Sequence, residues 1–178
     1  MSPTIRPVTL HDAGELAALL TANREWLEPW DPARDEVYYT EDGQRQVIGG
    51  VLDQGTSLPH VIVEDGRVVG RVNLNNIVRG PFQSCSLGYW VDSGHAGRGL
   101  VTKAVALLLR DAFTVHGLHR VEAGTLLHNV RSQRVLERAG FQMFGMAPRY
   151  LKIGGEWQDH FLYQLLEENW STANQSAP

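Results

Sequence analysis

Twenty residues in the middle of the chain, Leu87 to Ala106 (L-G-Y-W-V-D-S-G-H-A-G-R-G-L-V-T-K-A-V-A), constrain the fold more than any other stretch. An apolar, aromatic run gives way to a loop holding Gly94, Gly97 and Gly99, and the loop opens directly into an amphipathic helical pattern. Glycine lets a backbone turn tightly and lets a ligand approach with no side chain between. The helix start behind it offers unpaired N–H groups and the positive end of its dipole, so the junction suits an anion. Arg98, Thr102 and Lys103 stand where charge-assisted and hydroxyl contacts would add to those amides. Taken alone, the glycines are equally compatible with a connection that binds nothing. A nucleotide-triphosphate loop needs glycine, four residues, then Gly-Lys-Ser/Thr, which G-H-A-G-R-G does not supply. The dinucleotide fingerprint G-x-G-x-x-G is absent too.

Around this junction, short apolar runs alternate with turn and cap signals. P-T-I-R-P-V reads as a strand, and Thr9 with Asp12 three residues on marks a helix carrying Leu16, Leu19 and Leu20. Residues 24–38, rich in aromatics, acids and proline, read as a short helical turn and a loop. A second helix is expected from Thr40 to about Leu52, with Val47, Ile48, Val51 and Leu52 on one face. L-P-H-V-I-V and R-V-V-G-R-V-N-L flank Asp65-Gly66, a strong hairpin signal between β-branched runs. S-C-S-L-G-Y-W-V is the strand before the glycine loop. The helix after the loop is expected from about Leu100 to His116, with Ala104, Val105, Leu108, Leu109 and Ala112 packing on a sheet. H-R-V-E-A-G-T-L-L reads as a strand and Arg131 to Ala139 as a short helix closed by Gly140, and two final strands meet at Gly154-Gly155. No repeat or linker interrupts the pattern. It gives a single mixed α/β domain over residues 1–170, with S-T-A-N-Q-S-A-P (171–178) as a flexible tail.

A chain of 178 residues is long enough to bury one real core. The only cysteine, Cys85, sits mid-strand and excludes a disulfide framework or multi-cysteine cluster, and the seven histidines lack metal-ligand spacing. No metal is expected. Arg6, Asp12 and Glu15 interrupt the only apolar stretch near the start, and no run approaches the eighteen apolar residues of a membrane span. A cytoplasmic protein with no membrane or direct nucleic-acid partner is expected, either monomer or homodimer. The net charge of −4 hides an asymmetry: residues 1–95 hold 7 Lys/Arg against 13 Asp/Glu, whereas residues 96–152 hold 9 against 3. A basic middle and an acidic front fit an anionic ligand beside a cationic one, though solvated faces that merely differ in sign would look the same.

The glycine segment resembles the pyrophosphate-binding motif of the GNAT N-acetyltransferases, and its surroundings narrow the likeness. G-Y-W-V, G-R-G-L-V-T-K-A, L-H-R-V-E-A, H-N-V-R-S, L-E-R-A-G-F and I-G-G-E-W-Q-D-H-F-L-Y follow in the order expected of that family. With the early N-R-E-W-L-E-P-W-D-P-A-R-D-E and V-R-G-P-F, they resemble the ribosomal-protein alanine N-acetyltransferases, the RimJ/RimL group, from about Ile5 to Trp170. Two positions depart from the general Gln/Arg-x-x-Gly-x-Gly/Ala pattern: Ala96 and Val101.

The resemblance implies an α/β (α+β) fold, with a central mixed, mostly antiparallel sheet of six to seven strands, one splayed pair and about four flanking helices. It implies acetyl-coenzyme A as acetyl donor and a primary amine as acceptor, foremost the N-terminal α-amine of a basic, ribosomal protein or peptide. Tyr89, Trp90 and Val91 would then pair with the pantetheine arm, and Gly97, Arg98, Gly99, Leu100, Val101 and Thr102 would cradle the pyrophosphate. Asn129 and Ser132 would approach the sulfur end, or serve only as helix caps. A backbone N–H at Val91 or Trp90 would face the thioester carbonyl, and Ser132 would give the departing thiolate a hydrogen bond or proton. Many relatives carry Glu two residues before Gly-Tyr; this chain has Ser86, so the base is unassigned among Glu28, Asp31, Asp35 or a water chain. An α-amino group with a pKa near 7.7–8.0 needs only modest help. Seven acids between Glu25 and Asp42, interleaved with Trp26, Trp30, Tyr38 and Tyr39, would form an acidic, aromatic lip for the amine, with Trp26, Trp30, Asp31, Asp35 and Tyr38 as its contacts. The tryptophans could equally belong to the core. An acetyltransferase for a small amine (antibiotic, aminoacyl nucleotide or amino sugar) and a non-catalytic coenzyme A sensor are the competing readings.

Overall fold

A computed structural model describes residues 3–175. Seven strands form one sheet: β1 (Thr4–Pro7), β2 (Leu58–Glu64), β3 (Arg67–Val78), β4 (Ser84–Val91), β5 (Arg120–Leu126), β6 (Gln142–Ile153) and β7 (Glu156–Leu166). Their order across the sheet is β1-β2-β3-β4-β5-β7-β6, antiparallel throughout except where β4 meets β5. Six α-helices flank it: α1 (Ala13–Ala22), α2 (Arg24–Leu27), α3 (Glu41–Gln54), α4 (Leu100–Thr114), α5 (Val130–Arg138) and α6 (Glu167–Gln175). This is the expected sheet, with two more helices than the sequence suggested.

Local chemistry sets the boundaries. The Thr9 N–H donates to Asp12 Oδ2 at 2.7 Å, the capping contact the spacing implied, and Arg6 grips the same carboxylate with two hydrogen bonds of 2.7 and 2.9 Å. The Asp65-Gly66 turn has φ of 50° and 79°, which gives the mirror-image hairpin that an Asp-Gly pair favours. Gly140, at φ 89°, ends α5 as a left-handed cap.

One core lies between the sheet and α4, with Ala104, Val105, Leu108, Leu109 and Ala112 packed on Val72, Leu74, Cys85, Leu87 and Val121. A smaller one lies on the opposite face, where Ala13, Leu16 and Ile48 of α1 and α3 meet Val61 and Val68.

Two expectations need correcting. Leu52 does not face the interior with Ile48; it is exposed, and the buried positions of α3 are Gly43, Gln44 and Ile48. The reason lies at the helix start. A Cβ on Gly43 would collide with the Val37 carbonyl, so α3 docks by its first turn, and Gln44 Nε2 donates to Tyr38 O at 2.7 Å. The chain from Ser171 is also not a tail throughout, because α6 continues to Gln175; the expectation for residues 176–178 lies outside the described residues.

Candidate active site

The glycine loop is held by its side chains and presents its backbone. Gly97 and Gly99 have φ of 75° and 77°, and Gly99 is the residue from which α4 starts. Side chains rarely tolerate such φ values, although a Cβ at either position would meet nothing within 4 Å; conformation, not space, demands glycine there. The N–H groups of residues 97–102 make no hydrogen bond to any described residue, and the ladder of α4 begins with Lys103 N to Gly99 O. Six consecutive free donors at a helix start fit an anion. Below them runs a chain of polar side chains. Asn23, 1% exposed, donates to Asp92 Oδ1 (2.7 Å) and accepts from the Ser93 N–H (2.8 Å). Asp92 Oδ2 meets His95 Nδ1 at 2.6 Å, and Glu64 lies 3.6 Å from His95 Nε2 and 3.0 Å from Arg98 Nη1. Burial works against the Asp92 charge, but the hydrogen bonds from His95 and Asn23 hold its carboxyl below the ordinary range. The Arg98 guanidinium is thus paired with β2 while its side chain stays half exposed.

Beside the loop the sheet divides. β4 and β5 are registered only at Ser84–Arg120, Cys85–Val121 and Ser86–Glu122, and beyond these pairs the strands part. The Asp92 N–H donates to Val69 O (2.8 Å), and a Cβ on Gly70 would collide with Trp90 O, so Trp90 and Asp92 turn their peptide groups to β3. Strand alternation then turns Tyr89 and Val91 into the gap. Val91 O accepts from Trp26 Nε1 at 3.3 Å on that side. Between the two backbone donors considered for the carbonyl, Val91 is therefore the one that faces the opening. Across the gap, Asn129 caps α5 by accepting from the Ser132 N–H (3.1 Å), and the Tyr89 hydroxyl lies 2.8 Å from Ser132 Oγ. Burial pushes the Tyr89 phenol up to about 12, so it stays protonated and can hold the serine hydroxyl in place. Sequence reasoning assigned Tyr89 a backbone role only; the side-chain contact to Ser132 was not legible.

A cleft of about 450 Å³ runs from this gap to the other face of the sheet. Its walls include Trp30, Asp31, Arg34 and Tyr38 from the front segment, Arg71, Asn73 and Asn75 from β3, Gly88 to Trp90 from β4, Gly124 from β5, and Asn129 and Ser132. Trp30 stands at its edge, ring centroid 5.6 Å from that of His128. Neither Trp26 nor Trp30 belongs to the buried core; Trp30 lines the cleft, while Trp26 seals Val91 O with Arg131 over its ring at 5.1 Å. Tyr38 also lines it, under the Arg34 guanidinium at 4.7 Å.

Three of the seven acids of the front segment are paired with nearby arginines. Glu36 pairs with Arg24 (2.6 Å), Glu41 with Arg45 (2.7 Å) and Asp31 with Arg34 (3.4 Å). Asp35 stands apart from the cleft and caps the turn at residues 36–39, accepting from the Tyr38 N–H at 3.0 Å. Among the described residues, Asp31 is the only carboxylate on the cleft wall, and burial pushes it up against the pull of Arg34. Ser86 is committed to β3, its Oγ 3.3 Å from Asn75 O. Burial pushes the Cys85 thiol up to about 12, which leaves it inert. The cleft also holds a residue that sequence reading passed over, Arg71, whose place in R-V-V-G-R-V-N-L looks like an ordinary solvent-facing position.

An acetyltransferase (GNAT) domain model matches residues 4–142. The chain is 38% identical over 167 residues to the probable N-acetyltransferase YjcK of Bacillus subtilis, covering 91% of this chain and 92% of that one. It is 34% identical over 172 residues to the ribosomal protein uS5-alanine N-acetyltransferase of Escherichia coli, covering 94% and 89%. Among solved structures, Mycobacterium smegmatis RimJ in complex with CoA-disulfide superposes with a TM-score of 0.88 at 32% identity, covering 97% of this chain and 89% of that one.

Proposed function

Because the chain belongs to the GNAT acetyltransferase family, and is by that membership an N-acetyltransferase, we propose that it acetylates the N-terminal α-amine of a protein of the ribosomal class. The acetyl donor in this reading is acetyl-coenzyme A, which supplies an activated thioester. The observation that carries the proposal is the run of unpaired amides at residues 97–102 opening beside the parted strands. That arrangement suits a long ligand with a diphosphate at one end and amides along its arm. Binding of a coenzyme A species by the 32%-identical RimJ supports the assignment.

In this reading the amides of Gly97, Arg98, Gly99, Leu100, Val101 and Thr102 hold the diphosphate, and the edge of β4 at Tyr89 to Val91 receives the arm. The Val91 N–H offers the donor for charge on the acyl oxygen. The Ser132 hydroxyl, oriented by Tyr89, offers a proton or hydrogen bond at the sulfur end, and Asn129 fixes the backbone of Ser132. The acceptor enters through the cleft past Trp30, Asp31 and Tyr38. Asp31 is placed to attract its ammonium, and solvent takes the proton from an amine that already titrates near neutrality. A ribosomal acceptor would make the site of action the cytoplasm.

The test is thiol release from acetyl-coenzyme A with a panel of N-terminal peptides, polyamines, amino sugars and aminoacyl nucleotides. Turnover on peptides is the expected result. Turnover confined to small amines would overturn the acceptor class, and binding without turnover on any amine would overturn the activity.

A further inference from the structure

Arg71 is 7% exposed, yet its side chain makes no hydrogen bond or ion pair with any described residue, and its Nε is buried without a partner. It lies mid-strand on β3, opposite Trp90 on β4 and Val61 on β2. Its side chain lines the cleft that contains Ser132. The titratable groups that act on it are Tyr38, which lines the same cleft, and Asp12, whose carboxylate Arg6 already holds. A guanidinium keeps its charge even when burial disfavours it, so this is a buried cation without a counter-ion. One neighbour on the wall offers donors as well. Asn73, two residues along the same strand face, uses its Oδ1 for the His60 N–H (3.3 Å), which leaves its amide N–H groups unpaired. An unpaired guanidinium with amide donors beside it calls for an anionic acceptor group, and its planar fork matches a carboxylate.

We infer that Arg71 is the specificity-determining residue of the acceptor cleft, pairing with a carboxylate that the acceptor carries a short way behind its amine. The inference rests on the acetyltransferase reading above and sharpens it: the acceptor is an N-terminus with an Asp or Glu side chain among its first few residues. Adjacent strands lie about 5 Å apart, so β3 is one strand spacing from the gap edge of β4, a distance of one to three residues along an extended peptide. The basic acceptor suggested by the charge of the front segment is replaced by one that is acidic near its end.

The experiment compares peptides identical except for Glu or Gln at the second, third or fourth position, together with free amino acids and their amides, in wild type and in Arg71→Met and Arg71→Lys. The wild type should prefer Glu to Gln at one position by roughly 10- to 100-fold in kcat/KM, the range of a charge-assisted hydrogen bond. Arg71→Met should erase that difference and Arg71→Lys retain part of it. Arg71→Met should also raise the melting temperature of the ligand-free protein, because it removes an unpaired buried charge. Equal rates on Glu and Gln peptides in the wild type, a preference that survives in Arg71→Met, or a fall in its melting temperature would each overturn the inference. If no peptide reacts but free amino acids outrun their amides in an Arg71-dependent way, the protein-acceptor reading fails while the carboxylate site stands. Calorimetry with acetylated Glu and Gln peptides reads the same preference as binding, independently of turnover.

Discussion

The glycine loop at residues 92–103 and the front segment at residues 24–42 flank the same opening and are built on opposite plans. In the loop the side chains of Asp92, His95 and Arg98 are spent on one another, Asn23 and Glu64, and the backbone amides of residues 97–102 are left unpaired. In the front segment the backbone is occupied in short helical turns, three acids pair locally with Arg24, Arg34 and Arg45, and the groups turned to the cleft are the Trp30 and Tyr38 rings and the Asp31–Arg34 pair. Recognition by backbone is fixed by a few φ angles, which glycine spacing encodes. Recognition by side chains depends on what each charge meets after folding. The first kind shows in a sequence and the second does not.

The largest effect should come from the loop. Gly99→Asp imposes a side chain on a φ of 77° and a negative charge beside the unpaired amides, and on the proposed reading should weaken acetyl-coenzyme A binding by at least about 100-fold in calorimetry. Unchanged affinity would end the contrast, since the loop would then not be a backbone site. Next in size, Ser132→Ala should lower kcat by about 100-fold while cofactor affinity stays nearly constant, the split expected of a proton donor. Equal losses in both would make Ser132 a cap only. Because burial raises the Tyr89 phenol to about 12, its proton is retained below that pH, and kcat should show no falling limb from Tyr89 through pH 10.

The strut under the loop comes third. Asn23→Ala removes three hydrogen bonds from a buried site and should cost about 1–3 kcal/mol, read as a melting point lower by roughly 3–10 °C. A loss of cofactor affinity should accompany it; a stable variant with full affinity would show that the loop holds its shape unaided. Smallest are the front-segment charges. Asp31→Asn should raise the acceptor KM by a few-fold, about 1 kcal/mol or less for a half-exposed ion pair, and leave that for acetyl-coenzyme A unchanged. Asp35→Asn should change neither, because asparagine caps a helical turn as well as aspartate. If Asp35→Asn instead matches Asp31→Asn, the two regions work alike and the front is an electrostatic lip after all.

The same contrast explains what was readable in advance. Strand positions followed from apolar and β-branched runs, although β3 runs on to Val78, past the expected end at Leu74; Asp65-Gly66 and Gly154-Gly155 followed from turn chemistry, and the α4 stripe from its periodicity, all local signals. Leu52 misled because the periodicity of α3 names a face without saying that Gly43 would pull the first turn closest. The pairing of Arg98 with Glu64 was not legible because the two lie thirty-four residues apart. Arg71 was invisible for a related reason. Polar residues alternating with Val72 and Leu74 mark the side of a strand away from the main core, and nothing local says whether water or a walled cleft covers that side.

With only three registered pairs between β4 and β5, the sheet is two hydrogen-bonded leaves on a short spine, β1 to β4 on one side and β5 to β7 on the other. Opening along that spine breaks few ladder bonds, so amide hydrogen exchange should be fastest there among the central strands. A ligand lying in the seam restores the missing ladder and stabilises the closed form by RT ln(1 + [L]/Kd). The deuterium uptake of β4 and β5 thus becomes a gauge of occupancy: one narrow strip of the sheet slows when the donor binds, while the outer hairpins keep their own pace.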